Sequence, residues 1–320
     1  MKRIVGVLLI LLLLVIAGCQ DEVSEIEINA SYLSGPTALT MLQMAKEQPS
    51  LGENITVSYE MTPATDVMTG KITAGELDFA VIATSQAAML YNLGIEYQIV
   101  APSVWGVLFM IGSEELVNMD DLLGKEIALI GQAQTPDIML RHLLVSNGID
   151  PDEDVTLTYL SSPEELVQGF NSGRFTLGVV PQPLATVVQV NNQDLSVVLD
   201  FQEEWSNLTG NDSYPQSALI VKKDLVDNHP DVVKSFIAKY EESINWANAN
   251  PEQLGEYAVE LEVGLPAPIV QKALPNSNLR FANAIDVKNE IESYLEAIYN
   301  IMPDAIGGQL PDESFYYSGK

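Results

Sequence analysis

Short runs of β-branched and apolar residues alternate with amphipathic segments along most of this chain. A compact apolar run predicts a buried strand, and apolar residues three or four positions apart predict a helix that packs on it. Regular alternation of the two is typical of α/β layers with mainly parallel strands. Strands are predicted at 26–30, 55–61, 77–83, 97–101, 107–111, 126–130, 155–160, 175–180, 195–199 and 218–221.

Several helix ends are marked in the sequence. Thr135 offers a capping hydroxyl, Pro136 suits the first helical position, and Gly148 ends the segment. The run 162–165 has the form of a capping box, and Gly173 closes the helix that follows it. Further helices are predicted to begin at Gly35 and Thr84 and, in the last third of the chain, to cover 230–249, 251–262, 268–274 and 286–301.

Two apolar stretches break this alternation. The stretch 99–111 contains Pro102 and Trp105 and is too long for one ordinary strand, and 215–222 predicts a second extended segment. We expect both to connect two lobes of ordinary domain size. The predicted boundaries are 26–103 and 216–320 for lobe one, and 104–215 for an inserted lobe two.

The start of the chain has the order of a secretion signal. Two basic residues are followed by an apolar run at 4–16 and by Ala17-Gly18-Cys19. At ~1.5 Å rise per residue the run spans only about 20 Å, short of the ~30 Å core of a bilayer, so cleavage is favoured over a permanent membrane helix. We therefore expect a signal peptide at 1–18.

The segment 16–19 resembles a bacterial lipobox, in which the cysteine is acylated and becomes the new first residue. This implies that Cys19 carries a lipid such as palmitate, and that 19–25 tethers the protein to the extracytoplasmic face of the cell membrane. A free cysteine that ends an ordinary signal peptide is the alternative. Cys19 is the only cysteine, so neither an intrachain disulfide nor a thiolate-rich metal site can form.

Acidic residues greatly outnumber basic ones in this chain. The formal net charge is -29 at pH 7 and the sequence pI is about 4.1. The negative electrostatic field of such a chain disfavours nucleic acid and anionic lipid head groups as partners. Solubility in a salty or alkaline medium is the favoured explanation, and attraction of a cationic ligand is the alternative.

Several short motifs follow one another after Cys19. They are Gly75-Glu76-Leu77-Asp78-Phe79, 121–127, 140–148 with 150–155 after it, and 169–180 followed by Pro181-Gln182-Pro183. With the lipobox, they resemble the type II periplasmic substrate-binding proteins of ABC importers. The closest branch is the one that binds nitrate, sulfonates, taurine or thiamine and flavin precursors. Gln182 departs from the acid that many members carry at this position.

The resemblance implies a two-lobed α/β fold in which each lobe is a mainly parallel sheet flanked by helices, with two hinge crossings between the lobes. It also implies a monomer that binds a small molecule in the interlobe cleft and delivers it to an ABC permease and its ATPase. No cofactor, metal ion or catalytic residue is implied.

Four strand-to-helix turns are candidates for the ligand site, because ligands of open parallel sheets lie beyond the carboxyl ends of the strands. They are 32–37 and 83–85 in lobe one, and 131–135 and 181–183 in lobe two. The candidate ligand-binding residues at these turns and at the first crossing are Tyr32, Ser34, Gly35, Thr84, Ser85, Trp105, Gln134, Thr135 and Gln182. None of the turns carries a lysine or arginine, so a neutral heterocycle fits at least as well as an oxyanion.

Other roles stay open for these residues and for the chain. The hydroxyls at the four turns could only cap their helices, and Trp105 could pack in the core or at a hinge. An enzyme is the competing class, but His142 and His229 have no metal-ligand neighbour at zinc-site spacing, and no nucleophile elbow or phosphate-binding glycine loop is found. A ligand-sensing surface lipoprotein without a transporter is the other alternative.

Overall fold

The computed structural model describes residues 25–113, 116 and 118–319. The predicted signal peptide, Cys19 and nearly all of the predicted tether lie outside these residues. No helix within the described ranges has both the length and the apolar character that a bilayer crossing requires.

The first of two sheets contains β1 (Ile26–Leu33), β2 (Ile55–Thr62), β3 (Phe79–Ala83), β4 (Tyr97–Trp105) and β10 (Pro215–Lys222). Its order is β2-β1-β3-β10-β4. Strand β1 is parallel to β2 and β3, and β10 is antiparallel to β3 and β4. All strands except β10 therefore run in the same direction.

The second sheet contains β5 (Leu108–Gly112), β6 (Glu126–Ile130), β7 (Thr156–Leu160), β8 (Leu177–Pro181) and β9 (Ser196–Asp200). Its order is β7-β6-β8-β5-β9, and β5 alone runs in the opposite direction to the other four strands. Each lobe is thus built on a mainly parallel sheet. The predicted two-lobed α/β class is confirmed.

Helices cover both faces of each sheet. The α-helices are α1 (Pro36–Glu47), α2 (Thr65–Thr73), α3 (Thr84–Asn92), α4 (Thr135–Ser146), α5 (Pro163–Asn171), α6 (Leu184–Asn191), α7 (Phe201–Thr209), α8 (Lys223–Asn228), α9 (Pro230–Ala249), α10 (Pro251–Glu260), α11 (Ala267–Ala273) and α12 (Lys288–Ile301). Short 3₁₀ helices cover Met119–Leu122, Leu274–Asn276, Pro303–Ile306 and Glu313–Phe315. The sequence patterns do not predict α2, α6, α7 or α8.

Three hydrophobic cores hold these layers together. One core lies between the first sheet and α1, α9, α10 and α11, where the rings of Phe79 and Phe236 stack with centroids 3.7 Å apart. Another lies between the second sheet and α5 and α6. The third continues from the first sheet, α3 and α12 into the second sheet, α4 and α7. The two lobes therefore share this third core.

The chain crosses between the sheets twice, and the two crossings are hydrogen-bonded to each other. Gly106 follows β4 directly, and its N–H lies 2.9 Å from the carbonyl oxygen of Tyr214 and 3.1 Å from the hydroxyl of Ser213. The side chain of Asn278 donates to the Gly106 carbonyl at 2.7 Å. Both crossings are thereby fixed at one point between the lobes.

Replacement of Gly106 by alanine tests how tightly the crossings pack. A Cβ on Gly106 would lie 2.7 Å from ring carbons of Tyr214 and 2.7 Å from Cγ of Gln202. Since Tyr214 is fully buried, we expect Gly106→Ala to lower the free energy of unfolding in urea by about 1 to 3 kcal/mol. Gly70→Ala, in α2 with no atom within 4 Å of the added Cβ, should instead be neutral or stabilising by up to ~1 kcal/mol. Equal effects of the two changes would contradict tight packing at the crossing.

Candidate functional site

A cavity of about 550 Å³ opens between the lobes, where the starts of α1 and α6 face each other. We call it the interlobe cavity. Lobe one contributes Ser34, Gly35 and Pro36 and the loop Val263–Leu265. Lobe two contributes Ile130, Pro163, Glu164, Val167, Gln168, Pro181, Gln182, Pro183, Leu184 and Val187. Because both lobes form its walls, the volume of this cavity depends on the angle between them.

The lining of the interlobe cavity is mostly apolar and carries no positive charge. Among its described lining residues, Glu164 is the only charged side chain, and Ser34, Gln168 and Gln182 supply the polar groups. A bound anion would therefore find no cationic partner in the walls. A neutral molecule with a few hydrogen-bonding atoms matches this composition better.

In the helices that begin at the four predicted turns, the N-cap residue makes no side-chain capping hydrogen bond. This holds for α1, α3, α4 and α6. At the start of α1, Gly35 has φ 87° and ψ -146°, a conformation that favours glycine. The Thr37 hydroxyl donates to the Leu33 carbonyl at 2.7 Å and so closes this turn. In α6 the N–H of Thr186 donates to the side chain of Gln182 at 3.3 Å. The other first N–H groups of these helices, with their partial positive charge, receive no side-chain cap from the N-cap residue.

Gln182 is held in place by its own helix. It is 2% exposed, and its backbone N–H donates to the carbonyl of Val107 at 2.9 Å. Its side-chain oxygen accepts from the hydroxyl of Thr186 at 2.8 Å and from the Thr186 N–H at 3.3 Å. With the oxygen occupied in this way, the amide N–H groups of Gln182 are the part of the side chain left for a ligand.

The turn before α4 is fixed by a buried carboxylate. Asp137 is 1% exposed and accepts from the N–H of Ala133 at 2.8 Å. Its other oxygen accepts from Nε of Arg141 and from the hydroxyl of Tyr159, both at 2.8 Å. Ala133 has φ 60°, which is costly for a non-glycine residue, so the carboxylate stabilises a strained turn.

Asp137→Asn should weaken this turn, because a neutral amide cannot replace a carboxylate that pairs with Arg141. We expect a loss of about 2 to 3 kcal/mol in the free energy of unfolding, in the range of hydrogen bonds to charged groups. Asp152→Asn is the matched control, since Asp152 contacts the same guanidinium but its side chain is 72% exposed. Its loss should stay below about 1 kcal/mol. Urea unfolding of the two variants measures the difference, and similar losses would show that Asp137 has no special role.

Thr84, Ser85 and Thr135 lie buried at the starts of α3 and α4. Thr84 is fully buried, and its hydroxyl has no hydrogen-bond partner among the described residues. Ser85 and Thr135 are each 8% exposed. None of the three lines the interlobe cavity, so the structure separates them from Ser34, Gly35 and Gln182.

Helix α12 packs against both α3 and α4 and places an aromatic cluster between the lobes. Tyr294 of α12 stacks on Tyr214 with ring centroids 5.4 Å apart, and Trp205 lies 5.6 Å from Tyr214. Burial raises the pKa of both tyrosines above the ordinary range and lowers the pKa of His142, which lies 5.7 Å from Trp205. These side chains are therefore uncharged at neutral pH.

The remaining predicted residues lie elsewhere. Tyr32 is 3% exposed and packs in the core of lobe one, on the same face of β1 as Ile28 and Ala30. Gln134 is exposed on its turn. Trp105 is 2% exposed at the end of β4 and lies outside the interlobe cavity. The cavity thus gathers three of the predicted residues: Ser34, Gly35 and Gln182.

Two groups of lining residues were not among the predicted site residues. The start of α5, with Pro163 and Glu164, follows β7 and is a fifth strand-to-helix turn, so the capping pattern at 162–165 could have identified it. The loop Val263–Leu265 reaches the cavity from the far end of α10 and has no local sequence signal. Within the described ranges, no cluster of three or more His, Cys, Asp or Glu side chains could hold a metal ion.

The model of the NMT1-like family matches residues 36–261, which is more than half of the chain. The chain belongs to the NMT1-like family. The matched region of this family includes β2 to β10 and the starts of α1, α3, α4, α5 and α6. Of the lining residues of the interlobe cavity, Ser34 and Gly35 precede this match, and Val263, Gly264 and Leu265 follow it. The rest of the described cavity lining is therefore built from family sequence.

Curated relatives match the chain over part of its length. A binding protein of Brucella abortus is 28% identical over 180 residues, which cover 56% of this chain and 54% of the relative. A binding protein of Brucella melitensis matches to the same extent. The chain thus spans about half the length of the curated relatives it matches.

Solved structures share the fold over nearly the whole chain. An ABC transporter protein from Parabacteroides distasonis is 22% identical, with a TM-score of 0.78 over 93% of this chain and 100% of that one. The periplasmic aliphatic sulphonate binding protein SsuA from Escherichia coli is 15% identical, with a TM-score of 0.73 over 92% and 93%. The periplasmic nitrate-binding protein NrtA from Synechocystis is 16% identical, with a TM-score of 0.59 over 90% and 83%. This chain therefore has the two-lobed fold of periplasmic binding proteins.

Proposed function

We propose that this chain is the solute-binding component of an ABC import system. In this role it captures a small organic molecule in the interlobe cavity and presents it to a membrane permease driven by an ATPase, without catalysing a reaction. The observation that carries the proposal is a cavity of about 550 Å³ whose walls come from both lobes of a binding-protein fold. The family and the binding proteins among its structural neighbours support the same role.

Ligand capture would be coupled to lobe closure. A ligand that contacts Ser34 and Gly35 on one side and Gln182 on the other has its full set of contacts only when the lobes are close. Such a ligand binds the closed state better than the open state and shifts the population toward closure. Closure would then be the signal that the permease reads.

The solute is proposed to be neutral or weakly polar, such as a pyrimidine-type or flavin-type heterocycle. The described lining residues of the cavity include Glu164 and no lysine, arginine or histidine, and the whole chain has a formal net charge of -29. A sulfonate or nitrate ion would have to rely on helix N–H groups and neutral side-chain donors such as Ser34 and Gln182 against this field. The anions named for SsuA and NrtA are therefore less suited to this cavity.

Thermal unfolding with a panel of solutes tests the ligand class. A solute that binds only the native state stabilises it by RT ln(1 + [L]/Kd), about 2.7 kcal/mol at a hundredfold excess over Kd. We expect pyrimidines or flavins to raise the unfolding midpoint, and nitrate and alkyl sulfonates to leave it unchanged. A shift with the anions alone would contradict the proposed solute class.

A bulky side chain in the cavity locates the binding site. Val187 lines the interlobe cavity on α6, so Val187→Trp should abolish the midpoint shift that the bound solute causes. Val190→Trp is the matched control, because Val190 is on the same helix, is 43% exposed and does not line the cavity. A solute-induced shift that survives in Val187→Trp would place the site elsewhere.

We further propose that the protein is a monomeric lipoprotein at the extracytoplasmic face of the cell membrane. Residues 1–18 would be removed as a signal peptide, Cys19 would carry the lipid, and 19–25 would tether the lobes. Lobe one would comprise 26–103 and 216–320, and lobe two 104–215. Two acyl chains hold a protein to a membrane far more firmly than one.

Cys19→Ala should release the protein from the membrane fraction and abolish incorporation of labelled palmitate into the chain. Ser24→Ala, which changes the tether and leaves Cys19 in place, should remain in the membrane fraction. Cell fractionation with immunoblotting measures both. Membrane retention of Cys19→Ala would overturn the lipid anchor and leave the solute-binding role to be judged separately by the thermal panel.

A further inference from the structure

A second cavity, of about 650 Å³, lies beside the strand crossings. We call it the hinge cavity. Lobe one contributes Asn248, Gln271 and Arg280 to its walls, lobe two contributes Gln202 and Asp212, and Trp105 forms part of its lining. The described lining residues of the two cavities do not overlap. A molecule bound here would bridge the lobes at a different place.

Arg280 is held over Trp105 by both its backbone and its side chain. Its N–H donates to the Ser103 carbonyl at 3.1 Å, and its own carbonyl accepts from the indole N–H of Trp105 at 2.9 Å. The guanidinium carbon lies 3.7 Å from the centroid of the Trp105 ring, in a cation–π contact. Since stacking uses the face of the guanidinium, its N–H edges are left for another partner. A guanidinium fixed in this way loses little entropy when it binds a carboxylate.

Two opposite charges in the hinge cavity have no ion-pair partner among the described residues. Most basic side chains of the described residues form ion pairs, as in Lys46 with Glu260 and Lys71 with Glu60. Among the described residues, neither Arg280 nor Asp212 forms one, although both line this cavity and both are exposed. The cavity therefore presents one cationic and one anionic group from opposite lobes.

Amide groups extend this polar lining. The oxygen of Gln202 accepts from the Ser213 hydroxyl at 2.9 Å, which leaves its amide N–H groups as donors. The same Ser213 hydroxyl accepts from the N–H of Gly106, so the lobe-two wall is tied to the strand crossing. The wall is thus fixed before a ligand arrives.

We propose that the hinge cavity binds a small organic zwitterion, with its carboxylate on the Arg280 guanidinium and its ammonium on the Asp212 carboxylate. The forked N–H edge of an arginine matches a carboxylate in a two-bond pair. A molecule without net charge is not repelled by a chain of formal net charge -29, whereas a plain anion is. Asp212 adds to the selection, because it repels anions and attracts an ammonium group.

Titrations with β-alanine and γ-aminobutyrate test the proposal, since their different lengths measure the gap between the two charges. The three tryptophans, Trp105, Trp205 and Trp246, are replaced biosynthetically by fluorotryptophan. Their fluorine NMR signals are assigned with Trp205→Phe and Trp246→Phe. We expect at least one amino carboxylate to move the Trp105 signal saturably. Propionate and propylamine, which each lack one charge, should bind at least about tenfold more weakly, which corresponds to ~1.4 kcal/mol.

Variants then assign the two charges. Arg280→Gln and Asp212→Asn should each raise the dissociation constant of the amino carboxylate at least about tenfold, or ~1.4 kcal/mol. Lys272→Gln is the control, because Lys272 is an exposed basic residue of α11 that does not line the cavity, and it should leave the constant unchanged. A Trp105 signal that neither amino carboxylate moves overturns the proposal. Equal constants for propionate and the amino carboxylates, or for Arg280→Gln and the unmodified protein, overturn it as well.

Discussion

The hydrogen bonds of Gly106 join the two strand crossings and hold the lobes in relation to each other. The N–H of Gly106 contacts Tyr214 and Ser213 of the returning crossing, and its carbonyl contacts Asn278. A side chain at this position would collide with Tyr214, so the close approach requires a glycine. The relative position of the lobes, and with it the shape of both cavities, depends on this contact together with the core that the lobes share.

The two cavities differ in the chemistry that they offer. The interlobe cavity is mostly apolar and lies at the starts of helices, and Glu164 is the one charged side chain among its described lining residues. The hinge cavity has more polar lining residues, and it contains Arg280 from lobe one and Asp212 from lobe two. In a chain with a formal net charge of -29, a site for an anion needs a local cation that outweighs the field. Only the hinge cavity has one among the lining residues described for the two.

Sequence periodicity predicted the sheets well, because each strand is a compact apolar run bounded by turn residues. It failed at α6, whose β-branched sequence favours a strand. The helix forms because Ala185 and Val188 pack into the core with Leu166 and Phe170, and a local pattern does not report such tertiary contacts. The burial of Tyr32 could have been predicted from the sequence. Its spacing from Ile28 and Ala30 places the three side chains on one face of β1.

The lining residues of the two cavities were predictable where they follow the ends of strands, and not where they come from distant loops. Ser34, Gly35 and Gln182 follow directly from the rule that ligands lie beyond strand ends. The contact of Trp105 with Arg280 joins residues that are 175 positions apart. Such a contact is set by the way the last third of the chain returns to the edge of β4, which spacing along the sequence does not encode.

The core that the lobes share through α12 makes any opening of the molecule directional. Separation of the lobes at the shared core would expose the buried side chains of Trp205, Tyr214 and Tyr294 to water. On the side of the interlobe cavity the lobes meet through α6 and α11 around a space that is already open. Opening at the cavity therefore exposes less apolar surface than opening at the aromatic cluster. A solute would enter and leave along one path, and the molecular surface that changes most on closure is the rim formed by the starts of α1, α5 and α6.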